Sequence, residues 1–399
     1  MTAPMEGGSL FRRIKRVLFG APRDLFDPKI FHNLSLVAFF AWVGLGADGI
    51  TSSCYGPEEA YLALGSHAVL AIFVAVMSVA TIFIISGSYA QIIEAFPSGG
   101  GGYIVASKLL GEKAGVVSGS ALVIDYILTI TMSVAAGADA LFSLFPPQYL
   151  HLKFGFVTAV ILILIWMNLR GIKESVAVFT PIFMVFMLTH IPLLLYAMLR
   201  HVPEMPAVAA EVSRDFHTSV GQMGWVGLGA LLMRSFSMGG GTFTGIEAIS
   251  NSMQTLREPR VHTGKKAMLY MALSLSFLAG GILLCYLLYK VGHVPGKTLN
   301  AVLFDKVVGD LWQGEAGKVL LAVVLGSETA LLFVAAQTGI IDGPQVLSNM
   351  ALDYYAPRRF AHLSERLVRK YGVVFMGGMA LLMLYISGGS IKYLVIMYS

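Results

Sequence analysis

The stretch GADGITSSCYGPEEA, residues 46–60, places polar and helix-breaking residues inside an apolar region of the chain. One apolar run over 34–45 precedes it, and another over 62–85 follows it. The first run would rise only ~20 Å at ~1.5 Å per residue, which is short of the ~30 Å hydrocarbon core of a bilayer. A membrane-crossing helix here must continue through the polar segment. Its glycines and Pro57 predict a helix that is interrupted and then resumes.

The interrupted segment predicts a polar cavity inside the protein. We expect non-helical backbone near 48–54, because Gly46, Gly49 and Gly56 are weak helix formers. Broken backbone at membrane depth survives only inside protein or against a water-filled cavity. The side chains that would line this cavity carry oxygen, and they are Asp48, Thr51, Ser52, Ser53, Tyr55, Glu58 and Glu59.

The composition indicates an integral membrane protein. The 399 residues are 56% hydrophobic and 13% charged, whereas soluble domains carry about 25% charged residues. The two cysteines fall in apolar segments, which argues against a disulfide framework. We predict membrane spans near 33–65, 68–95, 114–145, 155–168, 176–199, 221–254, 267–290, 317–341, 373–387 and from 391 onward.

The basic residues predict the orientation of these spans. Most of the 28 Lys and Arg share one side of the membrane, in the segments 1–32, 91–113, 168–175, 255–267 and 343–372. The positive-inside rule then predicts a cytosolic N-terminus in a multi-pass protein of the cell membrane. The basic segment 1–32 is either a cytosolic tail or, over LFRRIKRVLF, an amphipathic helix on the membrane surface. With this distribution, the net charge of +5 does not indicate nucleic-acid binding.

The sixth predicted span contains a second interruption, SMGGGTFTGIEAISN over 237–251. We expect non-helical backbone near 240–245, packed against the first break. The residues that predict it are Gly240, Gly241 and Gly245, with Thr244 and Glu247 between apolar flanks. Two broken helices five spans apart favour two inverted five-helix repeats with a binding site between them. A simple flexible kink at either position is the alternative.

The third predicted span carries a polar face. Asp125, Thr129 and Ser133 are spaced i, i+4 and i+8, so they share one side of a helix. Serine and threonine in a membrane helix often bond the carbonyl four residues earlier, which would explain two of them. A carboxylate at the helix centre costs ~2.5–3.5 kcal/mol on insertion scales and is expected to face a cavity or a partner. Asp139 lies near the same face, closer to the outer end.

The types of side chain around the breaks favour a cation as ligand. Helix N-termini attract anions, and carriers of amino acids use them for the substrate carboxylate. Here Glu58, Glu59 and Glu247 would neutralise those positive ends, although stabilisation of the helix dipole alone would also explain the first two. Oxygen ligands suited to an alkali cation are offered by Asp48, Thr51, Tyr55, Ser133 and Thr244.

These segments resemble the amino acid–polyamine–organocation (APC) superfamily and, within it, the KimA-type proton-coupled potassium importers. The matching segments are DGITSSCYGPE from Asp48, DYILTITMS from Asp125, TGIEAISN from Thr244, the basic stretch REPRVHTGKKA and the loop GPQVLSNMALDYYAPRRFAHLSERLVRKYG. The resemblance covers about residues 35–399. It implies an all-α integral membrane protein of LeuT-like fold, with broken helices 1 and 6 and repeats of about 33–199 and 221–399.

The resemblance also implies a site and a function. The cation site would consist of Asp48, Tyr55, Thr129, Ser133, Thr244 and Tyr398. Asp125 and Glu247 would be the proton-coupling carboxylates. The implied function is proton-coupled uptake of potassium by alternating access, without a cofactor or resident metal, and the alternative is an amino acid or polyamine permease. The expected partners are the small solute, protons and lipid, with the choice between monomer and homodimer open.

The sequence departs from the family pattern in two places. Cysteine at position 54 replaces an alanine before Tyr55. The chain ends at LVIMYS inside the tenth predicted span, so we expect helices eleven and twelve and a cytosolic domain that binds a cyclic dinucleotide to be missing.

Other functional classes find less support in the sequence. An enzyme is disfavoured because the chain has no His-Glu-x-x-His, Gly-x-Ser-x-Gly or Walker motif. SGGGGY at 98–103 is interpreted as a flexible cytosolic gate, and His190 as a packed or hydrogen-bonded core histidine. A channel or a receptor stays open as a further alternative.

Overall fold

The computed structural model describes residues 36–99, 101–170, 176–364 and 368–398, and the basic tail predicted over 1–32 lies outside these ranges. Within them the chain is helical, and the β-type pairing is one isolated bridge between Leu36 and Leu256. The helices are α1 (Ala38–Gly44), α2 (Gly46–Thr51), α3 (Gly56–Ala63), α4 (Ala71–Ala95), α5 (Gly101–Leu110), α6 (Glu112–Phe142), α7 (Lys153–Arg170), α8 (Val176–Arg200), α9 (Met205–Met238), α10 (Ala248–Asn251), α11 (Arg260–Leu288), α12 (Leu299–Leu311), α13 (Glu315–Leu352), α14 (Lys370–Ser387) and α15 (Ile391–Tyr398).

Seven helices of the described residues are long and apolar enough to cross a membrane. They are Gly65–Ala95, Glu112–Phe142, Pro147–Arg170, Phe179–Arg200, Arg260–Leu288, Glu315–Leu352 and Lys370–Ser387. These seven match the predicted spans two to five and seven to nine. The first and sixth predicted spans are divided into shorter helices, and the described part of the tenth, α15, has 8 residues.

The first break lies later in the chain than predicted. Gly46 and Gly49 belong to α2, so the expectation of non-helical backbone from residue 48 is wrong. A 3₁₀ segment covers Ser52–Cys54, and Tyr55 leaves helical geometry with φ −127° and ψ −34°. Gly56 then begins α3, with Pro57 in the first turn.

Side-chain hydroxyls explain where the first break falls. Thr51 Oγ1 donates to the carbonyl of Asp48 at 2.7 Å, and Ser53 Oγ donates to the carbonyl of Ile50 at 2.6 Å. Bonds of this kind compete for helix carbonyls and bend the chain. They tighten the end of α2 into the 3₁₀ segment.

The second break confirms the non-helical backbone expected at 240–245. The segment Gly240–Phe243, which includes Gly241, is 3₁₀ rather than α. Thr244 is extended, with φ −68° and ψ 150°, and Gly245 has a φ of +78°. The short helix α10 follows from Ala248.

Three further boundaries differ from the sequence predictions. The sixth span was expected from 221; α9 consists of two helices that meet at a kink at Gly224, where φ is 71°, and the first of them, from Met205, was not predicted. The eighth span was expected to end at 341, but α13 continues to Leu352. The helix α12 was not predicted, and it is N-capped by Thr298, whose hydroxyl accepts from the Ala301 N–H at 3.1 Å.

Small residues bring α6 and α13 close together. An added Cβ at Gly339 would lie 2.9 Å from Ile130 Cγ1, and one at Gly137 would lie 2.7 Å from Phe333 Cε1. Thr329 Oγ1 of α13 also donates to the Gly137 carbonyl at 3.0 Å. Close packing of this kind, rather than a hydrophobic driving force, holds helices together in lipid.

Segments predicted to be cytosolic lie together at one end of the molecule. Tyr103 OH donates to Asp353 Oδ2 at 2.7 Å, and Tyr355 OH donates to Glu112 Oε2 at 2.6 Å. Gln254 also reaches the Ser98 carbonyl at 3.1 Å. The loops at 98–103, 251–258 and 353–361 therefore share a side, as the positive-inside argument requires.

We expect single cysteines at the two ends to react from opposite sides of the membrane. Ser213 on α9 and His362 before α14 are both exposed, and the native Cys54 and Cys285 are buried. In intact cells, an impermeant maleimide should label Ser213→Cys and leave His362→Cys unlabelled until the membrane is opened. Labelling of both from outside would contradict the orientation.

Candidate functional site

The two breaks pack directly against each other. Ser52 Oγ lies 2.6 Å from the carbonyl oxygen of Thr242. An added Cβ at Gly56 would lie 2.7 Å from the Thr242 backbone nitrogen, which leaves room for hydrogen only. The expectation that the breaks meet is confirmed.

Gly245 forms the second contact between the breaks. Its φ of +78° is a conformation that side chains rarely adopt. An added Cβ would lie 2.6 Å from the Gly49 nitrogen and 2.8 Å from Asp48 Cγ. The absence of side chains at Gly245 and Gly49 therefore allows the two backbones to approach.

We expect Gly245→Ala to separate the breaks and abolish transport. The residue would suffer about 1–2 kcal/mol of backbone strain in addition to the clash with Gly49. Gly65→Ala is the matched control, because Gly65 also has a positive φ of +57° but nothing within 4 Å of its added Cβ. Uptake by both variants, normalised to membrane expression, measures the difference. Equal activity of the two variants would show that the contact is unimportant.

Asp48 lies at the contact between the breaks. It is 1% exposed, and among the described residues neither of its carboxylate oxygens has a hydrogen-bond partner. An unpaired buried carboxylate is costly, so such groups bind a proton, a cation or a donor. Asp48 therefore has the capacity to bind a positively charged ligand.

Hydroxyl groups with free bonding capacity lie at the two breaks and on α6. Tyr55 OH lies 3.5 Å from Thr244 Oγ1, one group from each break. Thr129 and Ser133 of α6 are buried, and their hydroxyls have no partner. Thr131 on the same helix bonds the Ile127 carbonyl at 2.9 Å instead. A hydroxyl bond to the carbonyl four residues earlier therefore explains Thr131 and does not explain Thr129 and Ser133.

The two predicted coupling carboxylates differ in their partners. Asp125 Oδ1 accepts a hydrogen bond from Tyr398 OH at 2.5 Å, which ties α6 to α15. Glu247 is 6% exposed, and its Oε1 has no partner. Beside Glu247, Tyr126 OH accepts from Asn251 Nδ2 at 2.7 Å.

Asp342 is a further buried carboxylate of this region, and the sequence did not single it out. Its Oδ2 is buried without a partner, and its charge is close enough to repel those of Asp48 and Glu247. The predicted eighth span ended at 341, which put Asp342 in a loop. A carboxylate about three turns before the end of the helix, which runs to Leu352, was the available signal.

The other acidic residues of this part of the chain differ in their surroundings. Glu58 lies in the first turn of α3, whose N-cap residue Tyr55 makes no side-chain capping bond among the described residues. Glu59 is 8% exposed. Asp139 pairs with Lys153 at 2.6 Å, which sets it apart from the unpaired carboxylates.

The arrangement is an oxygen-lined site with an excess of negative charge. The carboxylates of Asp48, Asp125, Glu247 and Asp342 interact electrostatically. Within the described ranges, no three His, Cys, Asp or Glu side chains are grouped to hold a metal ion. Oxygen ligands of mixed carboxylate and hydroxyl type suit hard cations.

Comparison with known proteins gives two matches. The family model of amino acid permeases matches residues 34–399. The chain is also 31% identical over 400 residues to the potassium transporter KimA of Bacillus subtilis strain 168, an alignment that covers 98% of this chain and 62% of that protein. The chain therefore spans about three-fifths of the length of this relative. Both the family and the relative are transporters, not enzymes.

The predicted resemblance is confirmed by these matches. The family match begins just before α1 and continues through both breaks and the helices between them. This all-helical, multi-pass membrane protein therefore belongs to the amino acid permease family of the APC superfamily.

Proposed function

We propose that the protein is a secondary transporter that takes up a monovalent cation, potassium first, together with protons. The relative of similar sequence is named a potassium transporter. The cation would bind among Asp48, Tyr55, Thr129, Ser133, Thr244 and Tyr398.

The unpaired carboxylate of Asp48 is the observation that carries this proposal. It is 1% exposed at the contact between two broken helices, and both of its oxygens lack a donor. A transported cation would supply the missing positive charge. The hydroxyls of Tyr55, Thr129, Ser133 and Thr244 would replace water in the cation's hydration shell.

The remaining carboxylates suit a role in proton coupling. Glu247 and Asp125 repel each other electrostatically, so adding a proton to one changes the cost of charging the other. We propose Glu247 as the main proton carrier, because its Oε1 lacks a partner whereas Asp125 is bonded by Tyr398.

Alternating access would follow from two inverted five-helix repeats, about 33–199 and 221–399, with the site between them. The broken helices would move relative to the α6–α13 pair. We place the N-terminus and the loops 98–103, 251–258 and 353–361 on the cytosolic side of the cell membrane. The oligomer would be a monomer or a homodimer.

Uptake by a host that lacks its own potassium importers tests the proposal. The protein should restore growth at low potassium and accumulate rubidium in a saturable manner that depends on the pH gradient. A vector without insert is the control. Uptake of an amino acid or polyamine in the same cells, with no rubidium uptake, would contradict the cation proposal and favour a permease for organic substrates.

The second candidate is a permease for amino acids or polyamines. The family model that matches the chain is that of amino acid permeases, which favours it. In such a permease the Asp48 carboxylate would bind a substrate ammonium group. A test of whether amino acids and polyamines compete with rubidium for uptake distinguishes the cation transporter from the permease.

We expect Tyr55→Phe to weaken apparent cation affinity about 5- to 30-fold. Loss of one buried hydrogen bond costs about 1–2 kcal/mol, and each 1.4 kcal/mol is about tenfold in affinity. Tyr61→Phe is the matched control, because Tyr61 OH bonds the Tyr286 carbonyl at 3.3 Å instead of Thr244. Concentration-dependent uptake measures both. Equal affinities in wild type and Tyr55→Phe would remove Tyr55 from the site.

A further inference from the structure

A second buried polar cluster lies among α8, α11, α12 and α13. His190 of α8 is 0% exposed, and Glu328 of α13 is 1% exposed. His190 Nε2 lies 3.8 Å from Glu328 Oε2, and neither atom has a hydrogen-bond partner. Since buried polar atoms are nearly always satisfied, this pair requires a physical explanation.

The tautomer of His190 follows from its other ring nitrogen. Nδ1 lies 3.0 Å from the carbonyl oxygen of Phe186, which can only accept. Nδ1 also lies 3.1 Å from Thr189 Oγ1, but that hydroxyl donates to the Val185 carbonyl at 2.8 Å. Nδ1 therefore carries a hydrogen, and Nε2 is the nitrogen left to face Glu328.

A single proton between the two side chains satisfies both. A bare Nε2 would point its lone pair at a carboxylate, which is repulsive. The Phe186 ring is stacked on the imidazole with centroids 3.9 Å apart, an arrangement that stabilises a cationic ring. Asn300 Nδ2 donates to Glu328 Oε1 at 3.0 Å and stabilises the carboxylate. These contacts favour an imidazolium–carboxylate pair.

Asn300 connects this pair to the first break. Its Nδ2 also donates to the carbonyl of Cys54 at 3.2 Å. Tyr286 OH donates to Asn300 Oδ1 at 2.5 Å, which fixes the orientation of the amide. Cys54 is the last residue of the 3₁₀ segment in the break.

We propose that His190 and Glu328 form a proton-binding site, separate from the candidate site at the breaks, that acts on the first break through Asn300. Loss of the proton leaves a carboxylate against a bare imidazole. The attraction between α8 and α13 is then lost, and the link from Glu328 through Asn300 to Cys54 loosens. The link to transport rests on the proposed function, whereas proton binding by the pair does not.

The groups around His190 and Glu328 do not supply another positive charge. Among the described residues, His190 is the cationic group within ion-pair distance of Glu328. The other titratable groups around the cluster are Cys54, Glu58, Tyr61, Cys285 and Tyr286. All of these are neutral or anionic, so none can replace the imidazolium.

Nitrogen NMR of ¹⁵N-histidine protein in lipid nanodiscs tests the assignment. The His190 signals are those lost in His190→Gln. At neutral pH both ring nitrogens of His190 should be protonated in the wild type, and Nε2 should lose its proton in Glu328→Gln. Glu315→Gln is the matched control, an exposed glutamate on the same helix, and should match the wild type. A neutral His190 in the wild type, or an imidazolium retained in Glu328→Gln, would overturn the proposal.

Thermal unfolding and transport give two further readouts. The double variant His190→Gln/Glu328→Gln should lower the melting temperature by less than the sum of the decreases in the two single variants. Additive decreases would contradict a direct pair. The pH dependence of uptake should shift in Glu328→Gln and be restored in Glu328→Asp; an unchanged profile would contradict the coupling. Absence of any uptake by the wild type would instead refute the proposed function and leave the NMR result standing.

Discussion

Replacing Asp48 by asparagine should reduce cation uptake by up to about 100-fold. The change removes the negative charge at the contact between the breaks and keeps the shape of the side chain. Loss of a charge-assisted contact in a buried site costs up to about 3 kcal/mol, which corresponds to about 100-fold in affinity. Initial rates of rubidium uptake, normalised to expression, measure the effect.

Asp139→Asn provides the matched control for this experiment. Asp139 is also an aspartate of a membrane span, but it is neutralised by Lys153 at 2.6 Å. We expect its loss to leave uptake near the wild-type rate. If Asp48→Asn transports as well as Asp139→Asn, then Asp48 is not a cation ligand.

Replacing Glu247 by glutamine should abolish accumulation driven by a pH gradient while some exchange continues. Glutamine cannot take up and release the proton, yet it keeps the size and polar character of the side chain at a buried position. Proteoliposomes separate the two activities, because exchange needs substrate on both sides and no pH gradient. Uphill uptake should fall to the level of empty vesicles.

Glu258→Gln serves as the control, since Glu258 is exposed and paired with Arg260 beyond the membrane span. It should retain uphill uptake. If Glu247→Gln keeps the proton dependence of the wild type, then another carboxylate carries the coupling proton. Asp125 is the first candidate and Asp48 the second.

The main features of the fold could be predicted because the membrane imposes strong constraints on sequence. Long apolar segments define seven spans, and helix breakers among polar residues mark positions where only a cavity can accept broken backbone. The second break was predicted at the correct residues because three glycines and an extended threonine determine it locally.

Features that depend on side-chain contacts were harder to predict. The first break was expected near 48–54, and the helix instead continues to Thr51 and departs from α geometry over 52–55, where Thr51 and Ser53 bond nearby carbonyls. Gly49 serves close packing against Gly245 rather than a break. The sequence does not distinguish these two uses of glycine.

The sequence predicted the kinds of side chain at the candidate site, but it did not predict all of the residues or their contacts. The sequence identified Asp48, Asp125 and Glu247, because a carboxylate in an apolar span is unusual. It missed Asp342, because the end of α13 was misplaced, and it interpreted His190 as a core histidine without its partner Glu328. The pairing of α8 with α13 is a long-range contact that a single sequence does not show.

Equilibrium binding of radioactive rubidium to the purified protein examines the Asp48 site itself, because it requires neither transport nor orientation in a membrane. We expect saturable rubidium binding that potassium displaces and that a panel of amino acids and polyamines leaves unchanged. This binding should be lost in Asp48→Asn and kept in Asp139→Asn. Rubidium binding that is absent from the wild type, or that persists unchanged in Asp48→Asn, would contradict a cation site at the contact between the two broken helices.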